Sequence, residues 1–172
     1  IDGDGIVGVN DLLELINSWG PCSDTIYPYK LLASDGTWGD HFGYSVAIDG
    51  NTVVVGAPYV DDNGTPNSTD SGSAYIYRFD GSSWNETKLL ASDGAWDDRF
   101  GYSVAVSGDT VVVGAWSEDD NGIDSGSAYI YQFDGSSWIE TKLITEDGKQ
   151  YDNFGYSVAV SGDTVVVGAP YD

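Results

Sequence analysis

Phe100-Gly101-Tyr102-Ser103-Val104-Ala105-Val106-Ser107-Gly108-Asp109-Thr110-Val111-Val112-Val113-Gly114-Ala115 is the stretch that decides the fold. Two runs rich in Val and Ala flank Ser107-Gly108-Asp109. Short apolar runs on either side of a Gly-containing turn read as two strands joined by a tight hairpin. The opening hexapeptide, Phe-Gly-Tyr-Ser-Val-Ala, starts at Phe42, again at Phe100 and again at Phe154. A motif returning at intervals of fifty-odd residues marks a tandem array, in which each unit buries its apolar faces against its neighbours.

The two intervals differ by a length change in one loop. Asp61-Asp62-Asn63-Gly64 reaches Asp70-Ser71-Gly72 through Thr65 to Thr69, whereas Asp119-Asp120-Asn121-Gly122 reaches Asp124-Ser125-Gly126 through Ile123 alone. Surface loops tolerate such changes.

Each unit reads as four short strands. In the middle unit, residues 84–92 are taken as the first, 102–106 as the second and 110–115 as the third. Residues 127–133, alternating Tyr and smaller residues, are the fourth. Asp134-Gly135-Ser136-Ser137 then turns the chain into the first strand of the next unit, Asp-Gly suiting the positive φ of a hairpin. Four antiparallel strands at this period indicate propeller blades, while solenoid coils are usually much shorter. The expected fold is mainly β: an incomplete β-propeller of four-stranded antiparallel blades, about two and a half of them. One short N-terminal helix precedes it. The expected divisions are 1–20, a calcium loop and helix; 21–29, a linker; 30–87 and 88–141, two blade units; and 142–172, part of a third.

The helix is expected over residues 11–19, where Leu12, Leu15, Ile16 and Trp19 fall at helical spacing. Asp11 favours its start and Gly20-Pro21 its stop. The chain begins at Ile1 and ends inside a repeated motif at Ala169-Pro170-Tyr171-Asp172, and it is read as a piece of a longer polypeptide.

Formal net charge is −22, from 28 acids against 6 bases. Such a chain repels phosphate backbones and anionic membranes, so nucleic acid is excluded as a partner and divalent cations are favoured. Six Trp, 12 Tyr and 5 Phe supply apolar area for a core, against the disorder that the charge alone would suggest. No run of eighteen apolar residues is present, so no membrane insertion is expected. Cys22 is the single cysteine and forms no intrachain disulfide here.

Enzyme signatures are thin. His41 is the single histidine and stands where the other units carry Arg99 and Asn153, which leaves no Ser-His-Asp set and no zinc cluster. Repeated acids occupy equivalent positions on separate units, whereas a catalytic carboxylate pair needs two unlike environments. The expectation is no enzyme activity. Two glycosylation sequons occur, Asn67-Ser68-Thr69 and Asn85-Glu86-Thr87.

Three groups of acids stand out. At the N-terminus, Asp2, Asp4 and Asp11 fit positions 3, 5 and 12 of an EF-hand-like loop, with Gly5 at the sharp turn. Ile6 offers a backbone carbonyl and Gly8 a water-bridged contact. After each Gly-Ala element come Asp61, Asp62, Asn63 and Asp70, and again Asp119, Asp120, Asn121 and Asp124. These are weaker Ca2+ candidates, set against acidic side chains that bond their own loop. Before each Phe-Gly stand Trp38-Gly39-Asp40, Trp96-Asp97-Asp98 and Tyr151-Asp152-Asn153. Their aromatics are expected to pack between units rather than to serve as a ligand platform.

Asp2-Gly3-Asp4-Gly5-Ile6-Val7 with Asn10-Asp11-Leu12-Leu13 resembles one half of a type I dockerin, which binds a cohesin module. The repeats resemble the FG-GAP family, known from the integrin α-chain propeller. Phe42-Gly43 with Gly56-Ala57-Pro58 and Phe154-Gly155 with Gly168-Ala169-Pro170 carry the likeness, and in the middle unit Trp116 replaces Pro. Integrin-type repeats place a calcium loop between the two elements. Here that interval is a tight hairpin (Asp49-Gly50-Asn51, Ser107-Gly108-Asp109, Ser161-Gly162-Asp163), so those sites do not carry over.

These likenesses imply a non-catalytic binding or adhesion module, extracellular or on a bacterial cell surface. Its partner would be a cohesin-like or other surface protein, or a glycan. The alternatives are an accessory part of a secreted carbohydrate-active enzyme and a spacer that binds nothing.

Overall fold

The computed structural model describes residues 14–17, 27–61 and 69–172. Twelve strands are present among them: β1 (Glu14–Asn17), β2 (Tyr27–Lys30), β3 (Ser45–Asp49), β4 (Thr52–Ala57), β5 (Ser73–Phe79), β6 (Trp84–Leu89), β7 (Ser103–Ser107), β8 (Thr110–Ala115), β9 (Ser127–Phe133), β10 (Trp138–Leu143), β11 (Ser157–Ser161) and β12 (Thr164–Gly168). They form two four-stranded antiparallel sheets, β3-β4-β5-β6 and β7-β8-β9-β10, and two pairs, β1-β2 and β11-β12. These sheets are consistent with blades of a partial β-propeller.

The repeat is therefore a sheet, but its strands are grouped differently from the sequence expectation. Residues 84–89 close the sheet of the unit before them; they do not open the next. The hairpin at Asp80-Gly81-Ser82-Ser83 folds the chain straight back, pairing Phe79 with Trp84 and Ala74 with Leu89. Asp80 fixes that turn: its carboxylate accepts the N–H groups of Ser82 (2.8 Å) and Ser83 (2.9 Å). Those bonds, with one from Asn85, pull its pKa below the ordinary aspartate value, Asn85 contributing most. Asp134 repeats the arrangement with Ser136 and Ser137.

The helix expected over residues 11–19 is not seen in the part of it that is described, and residues 11–13 and 18–19 lie outside the described residues. Its described part, Glu14–Asn17, is a strand paired with Tyr27–Lys30, and no helix occurs among the described residues. A helix of so few residues is marginal by itself, and a neighbouring strand offers its backbone the same hydrogen bonds.

Burial follows period two. Val53 and Val55 of β4, with Tyr75 and Tyr77 of β5, face one cluster that includes Leu31, Phe42 and Ala57. Val54, Ala74 and Ile76 face the other way, into a cluster shared with Phe100, Val111, Val113, Tyr129 and Tyr131 of the next unit. Both faces of the first four-stranded sheet are thus apolar. This explains why β4 is buried along its whole length while β3 is largely exposed.

The phenylalanine of the first two Phe-Gly pairs is the wedge. Phe100 is fully buried and meets Tyr129 and Tyr131 edge-on, with ring centroids 5.3 and 6.1 Å apart. Phe42 repeats this with Tyr75 and Tyr77.

Strand pairing sorts the connections by end. Ser45 opposes Gly56, Ala57 opposes Ser73 and Ala74 opposes Leu89. One end of each sheet therefore carries both the acidic loop and the long connection into the next Phe-Gly. The opposite end carries only tight hairpins.

Candidate functional site

At the loop end, each unit contributes a tyrosine just after its Phe-Gly pair. Tyr102 lies between Tyr44 and Tyr156, at ring-centroid distances of 4.9 and 5.1 Å. Three units thus build one continuous row. Tyr44 and Tyr156 are 46% and 40% exposed. Burial raises the pKa of the Tyr102 phenol above the ordinary tyrosine value, and hydrogen bonds with Tyr156 and Tyr44 raise it further. Trp116 flanks the row, 5.7 Å from Tyr102 and 6.3 Å from Tyr156. Tyr59 flanks it beside Tyr44, 6.1 Å away, with the Arg99 guanidinium 4.3 Å above its ring. His41 stacks edge-on with Tyr59 at 4.4 Å. It occupies a left-handed slot (φ 55) that Arg99 and Asn153 share in the other units.

Backbone glycines bring the tyrosines together. Ser45 Oγ donates to the Gly101 carbonyl at 2.7 Å, and Ser103 Oγ donates to that of Gly155 at 2.8 Å. The Gly101 oxygen rests directly against Gly56: a Cβ added there would fall 1.9 Å from it. Gly114 and Gly155 repeat the fit. The two glycine-containing elements of the motif are bonded within each unit, Gly43 N–H donating to the Gly56 carbonyl at 3.1 Å, and also meet across the seam between units.

That seam explains the repeat chemically and places the chain. The FG-GAP repeat model matches residues 29–77, 84–131 and 138–172. This chain belongs to the FG-GAP repeat family. It is 32% identical to human integrin alpha-6 over 138 residues, which is 71% of this chain and 11% of that protein. The FG-GAP chain spans about a tenth of the curated relative it matches.

The acids of this FG-GAP chain divide by role. Asp2, Asp4, Ile6, Gly8 and Asp11 lie outside the described residues, as do Asp62 and Asn63. Asp61 accepts the Asp70 N–H at 2.8 Å, and Asp119 accepts that of Asp124, also at 2.8 Å. Both bonds close their loops onto a left-handed residue, Asp70 (φ 58) or Asp124 (φ 52). Asp124 also accepts the Ser117 hydroxyl at 2.5 Å, and Asp70 lies 3.3 Å from the Arg99 guanidinium. Asn121 donates to the Thr145 carbonyl at 3.0 Å.

Asp120 turns elsewhere. It joins Asp93 and Glu118, one carboxylate oxygen from each lying within 4.8 Å of the others. The ammonium of Lys142 already stands among them, 2.6 Å from Asp93, 3.0 Å from Glu118 and 2.6 Å from Asp120. Burial alone would lower the lysine pKa, but hydrogen bonds to the three carboxylates outweigh it and hold it above the ordinary value. Glu118 is buried and also accepts the Ser127 hydroxyl at 2.6 Å, while Asp93 accepts that of Tyr129 at 2.9 Å. These residues do not fit a calcium ion, because the lysine ammonium supplies the positive charge the cage requires. In the preceding unit Lys88 meets Asp35 at 2.5 Å, and Val60 stands where Glu118 would be. Sequence reading missed this group, although Ser-Asp-Gly and Glu-Thr-Lys-Leu both recur at the repeat period and signal it.

The acids before Phe-Gly serve the backbone. Asp40, Asp98 and Asp152 are buried, and each accepts the N–H three residues earlier: Thr37 (2.6 Å), Ala95 (2.6 Å) and Lys149 (2.7 Å). The aromatics beside them do not pack between units as expected. Trp38 is 89% exposed and Trp96 66%, because each turn is closed by its own Asp and directs the ring outward.

Proposed function

We propose that this chain is a non-catalytic, extracellular or cell-surface binding and adhesion module, with the loop end as its ligand face. The observation that carries this reading is the tyrosine row Tyr44-Tyr102-Tyr156, one residue from each of three units. Aromatic rings held on a rigid scaffold supply contact area at low entropic cost. The FG-GAP repeats and the similarity to integrin alpha-6 support a binding role. Among the described residues no helix is long and apolar enough to cross a membrane.

Adhesion of beads coated with the whole chain to a panel of extracellular matrix proteins and to intact cells tests the reading. Tyr44→Ser/Tyr156→Ser should lose most of the adhesion while keeping the β-sheet circular dichroism. Undiminished adhesion by the variant would overturn the assignment of the ligand face.

The segment 1–20 is a calcium-binding, dockerin-like element in this proposal, with Asp2, Asp4 and Asp11 as carboxylate ligands and Ile6 and Gly8 completing the loop. The spacing of its acids around Gly5 supports this. Calorimetric titration with Ca2+ should give heat that Asp4→Asn/Asp11→Asn removes. Equal heat from the two proteins would exclude the site. Docking to a cohesin-like module follows from the same element and is read by co-elution in calcium.

A further inference from the structure

Each connection into a Phe-Gly pair pushes one large ring into solvent: Trp38 (89% exposed), Trp96 (66%) and Tyr151 (53%). Aromatic side chains normally dominate core and interface burial, so repeated exposure at one loop needs a reason. Trp96 is the decisive case. The preceding unit packs against its loop, Asp97 N–H donating to the Thr69 carbonyl at 3.0 Å, and the indole still faces water.

The rings stand on fixed supports. Asp40, Asp98 and Asp152 close the three turns from within. The residue after each Trp is left-handed, Gly39 at φ 106 and Asp97 at φ 67. In the third connection Gln150 takes the Trp position, and the aromatic moves onto the left-handed position itself, as Tyr151 at φ 72. A bulky residue at positive φ is an outlier, and such strain concentrates where ligands are held. The third loop thus keeps an outward ring at a conformational cost.

Outward rings on successive units, Trp38 and Trp96 at one position and Tyr151 one residue later, suit a ligand that repeats along its length and offers flat apolar faces edged with hydroxyls. Pyranose rings have that chemistry: their C–H faces stack on indole and phenol rings, and their hydroxyls bond nearby carboxylates and carbonyls. The net charge of −22 repels a polyanion. We infer that Trp38, Trp96 and Tyr151 form a stacking platform for a neutral polysaccharide. This rests on the loop end being the ligand face, but it uses side chains separate from the tyrosine row.

Affinity electrophoresis of the whole chain tests it, using gels that contain soluble neutral polysaccharides (a cellulose derivative, a xyloglucan, a galactomannan, amylose) or polygalacturonate. Pull-down on insoluble cellulose and chitin extends the panel. Retardation by at least one neutral polymer is expected, weakened at least fivefold in Trp96→Ala, abolished in Trp38→Ala/Trp96→Ala and largely kept in Trp96→Phe. Tyr44→Ser/Tyr156→Ser should bind the polymer as wild type does. Failure to bind any neutral polymer, binding to polygalacturonate alone, or equal binding by the double tryptophan variant would each overturn the inference. Loss of matrix adhesion in the tyrosine variant, alongside absent glycan binding, would leave the protein-binding reading standing and remove this one.

Discussion

The carbonyl oxygen of Gly101 occupies the space where a side chain on Gly56 would begin, a Cβ there falling only 1.9 Å away. The same added Cβ would also fall 2.3 Å from Ser45 Oγ of its own unit. Gly56 is the penultimate residue of β4, and Gly101 lies at the start of the following unit at φ 92. The pair sets how closely successive sheets approach, and that spacing lets Tyr44 reach Tyr102.

Alanine at Gly114, which meets Gly155 in the same way, should therefore push two units apart. The expected loss is about 3 kcal/mol, since overpacking against backbone leaves little room to relax. Urea unfolding followed by circular dichroism measures it. Alanine at Gly135, whose added Cβ would meet nothing within 4 Å but whose φ is 100, separates a backbone penalty from the clash and should cost about 1 kcal/mol.

Phe100→Ala should destabilise the chain by about 3–5 kcal/mol, the usual range for emptying a fully buried phenylalanine site. The cavity would open between two sheets, so the units should also uncouple. Thermal unfolding is expected to broaden or split into two transitions, which calorimetry would show.

Lys142→Met leaves Asp93, Glu118 and Asp120 without their cation. Only Glu118 of the three is buried, Asp93 and Asp120 being exposed, so the loss should be about 1–2 kcal/mol, most of it from the uncompensated Glu118. Millimolar Ca2+ should restore much of that loss in the variant by replacing the missing charge. The loop of the wild-type middle unit should not respond, because the ammonium is already in place. Melting temperature with and without Ca2+, compared between the two proteins in a background lacking Asp4 and Asp11, reads the difference.

Asp98 gives a pH dependence of unusual sign. Burial raises its pKa to about 6 against the Ala95 N–H and the Lys142 charge, which act to lower it, while Glu118 and Asp93 raise it further. The folded state therefore binds this proton more tightly than the unfolded chain. Its ionisation costs stability fully above pH 6, and the cost disappears as pH falls through 6 towards the unfolded value near 4. Asp98→Asn should stabilise the chain at pH 8 by on the order of 2 kcal/mol and make no difference near pH 3.5. Chemical denaturation of both proteins across that range is the measurement.

The sequence by itself determined the repeat, the strand-rich unit, the tight hairpin in place of a calcium loop and the family. These depend on local pattern: alternating burial in Tyr75-Ile76-Tyr77, Asp-Gly turns, and a motif written three times. Tertiary structure decided what local pattern cannot carry. Residues 84–89 could pair with the strand before or the strand after, and the Asp80 turn settled it by folding the chain back at once. Trp96 reads as apolar and therefore buried, but a turn closed by its own Asp98 points it outward. Asp119 and Asp120 are adjacent and chemically alike, yet one bonds its own loop and the other meets Lys142, 22 residues away along the chain. Whether a carboxylate faces a backbone N–H, a lysine or a metal depends on which segments the sheets bring together, and only packing between units fixes that.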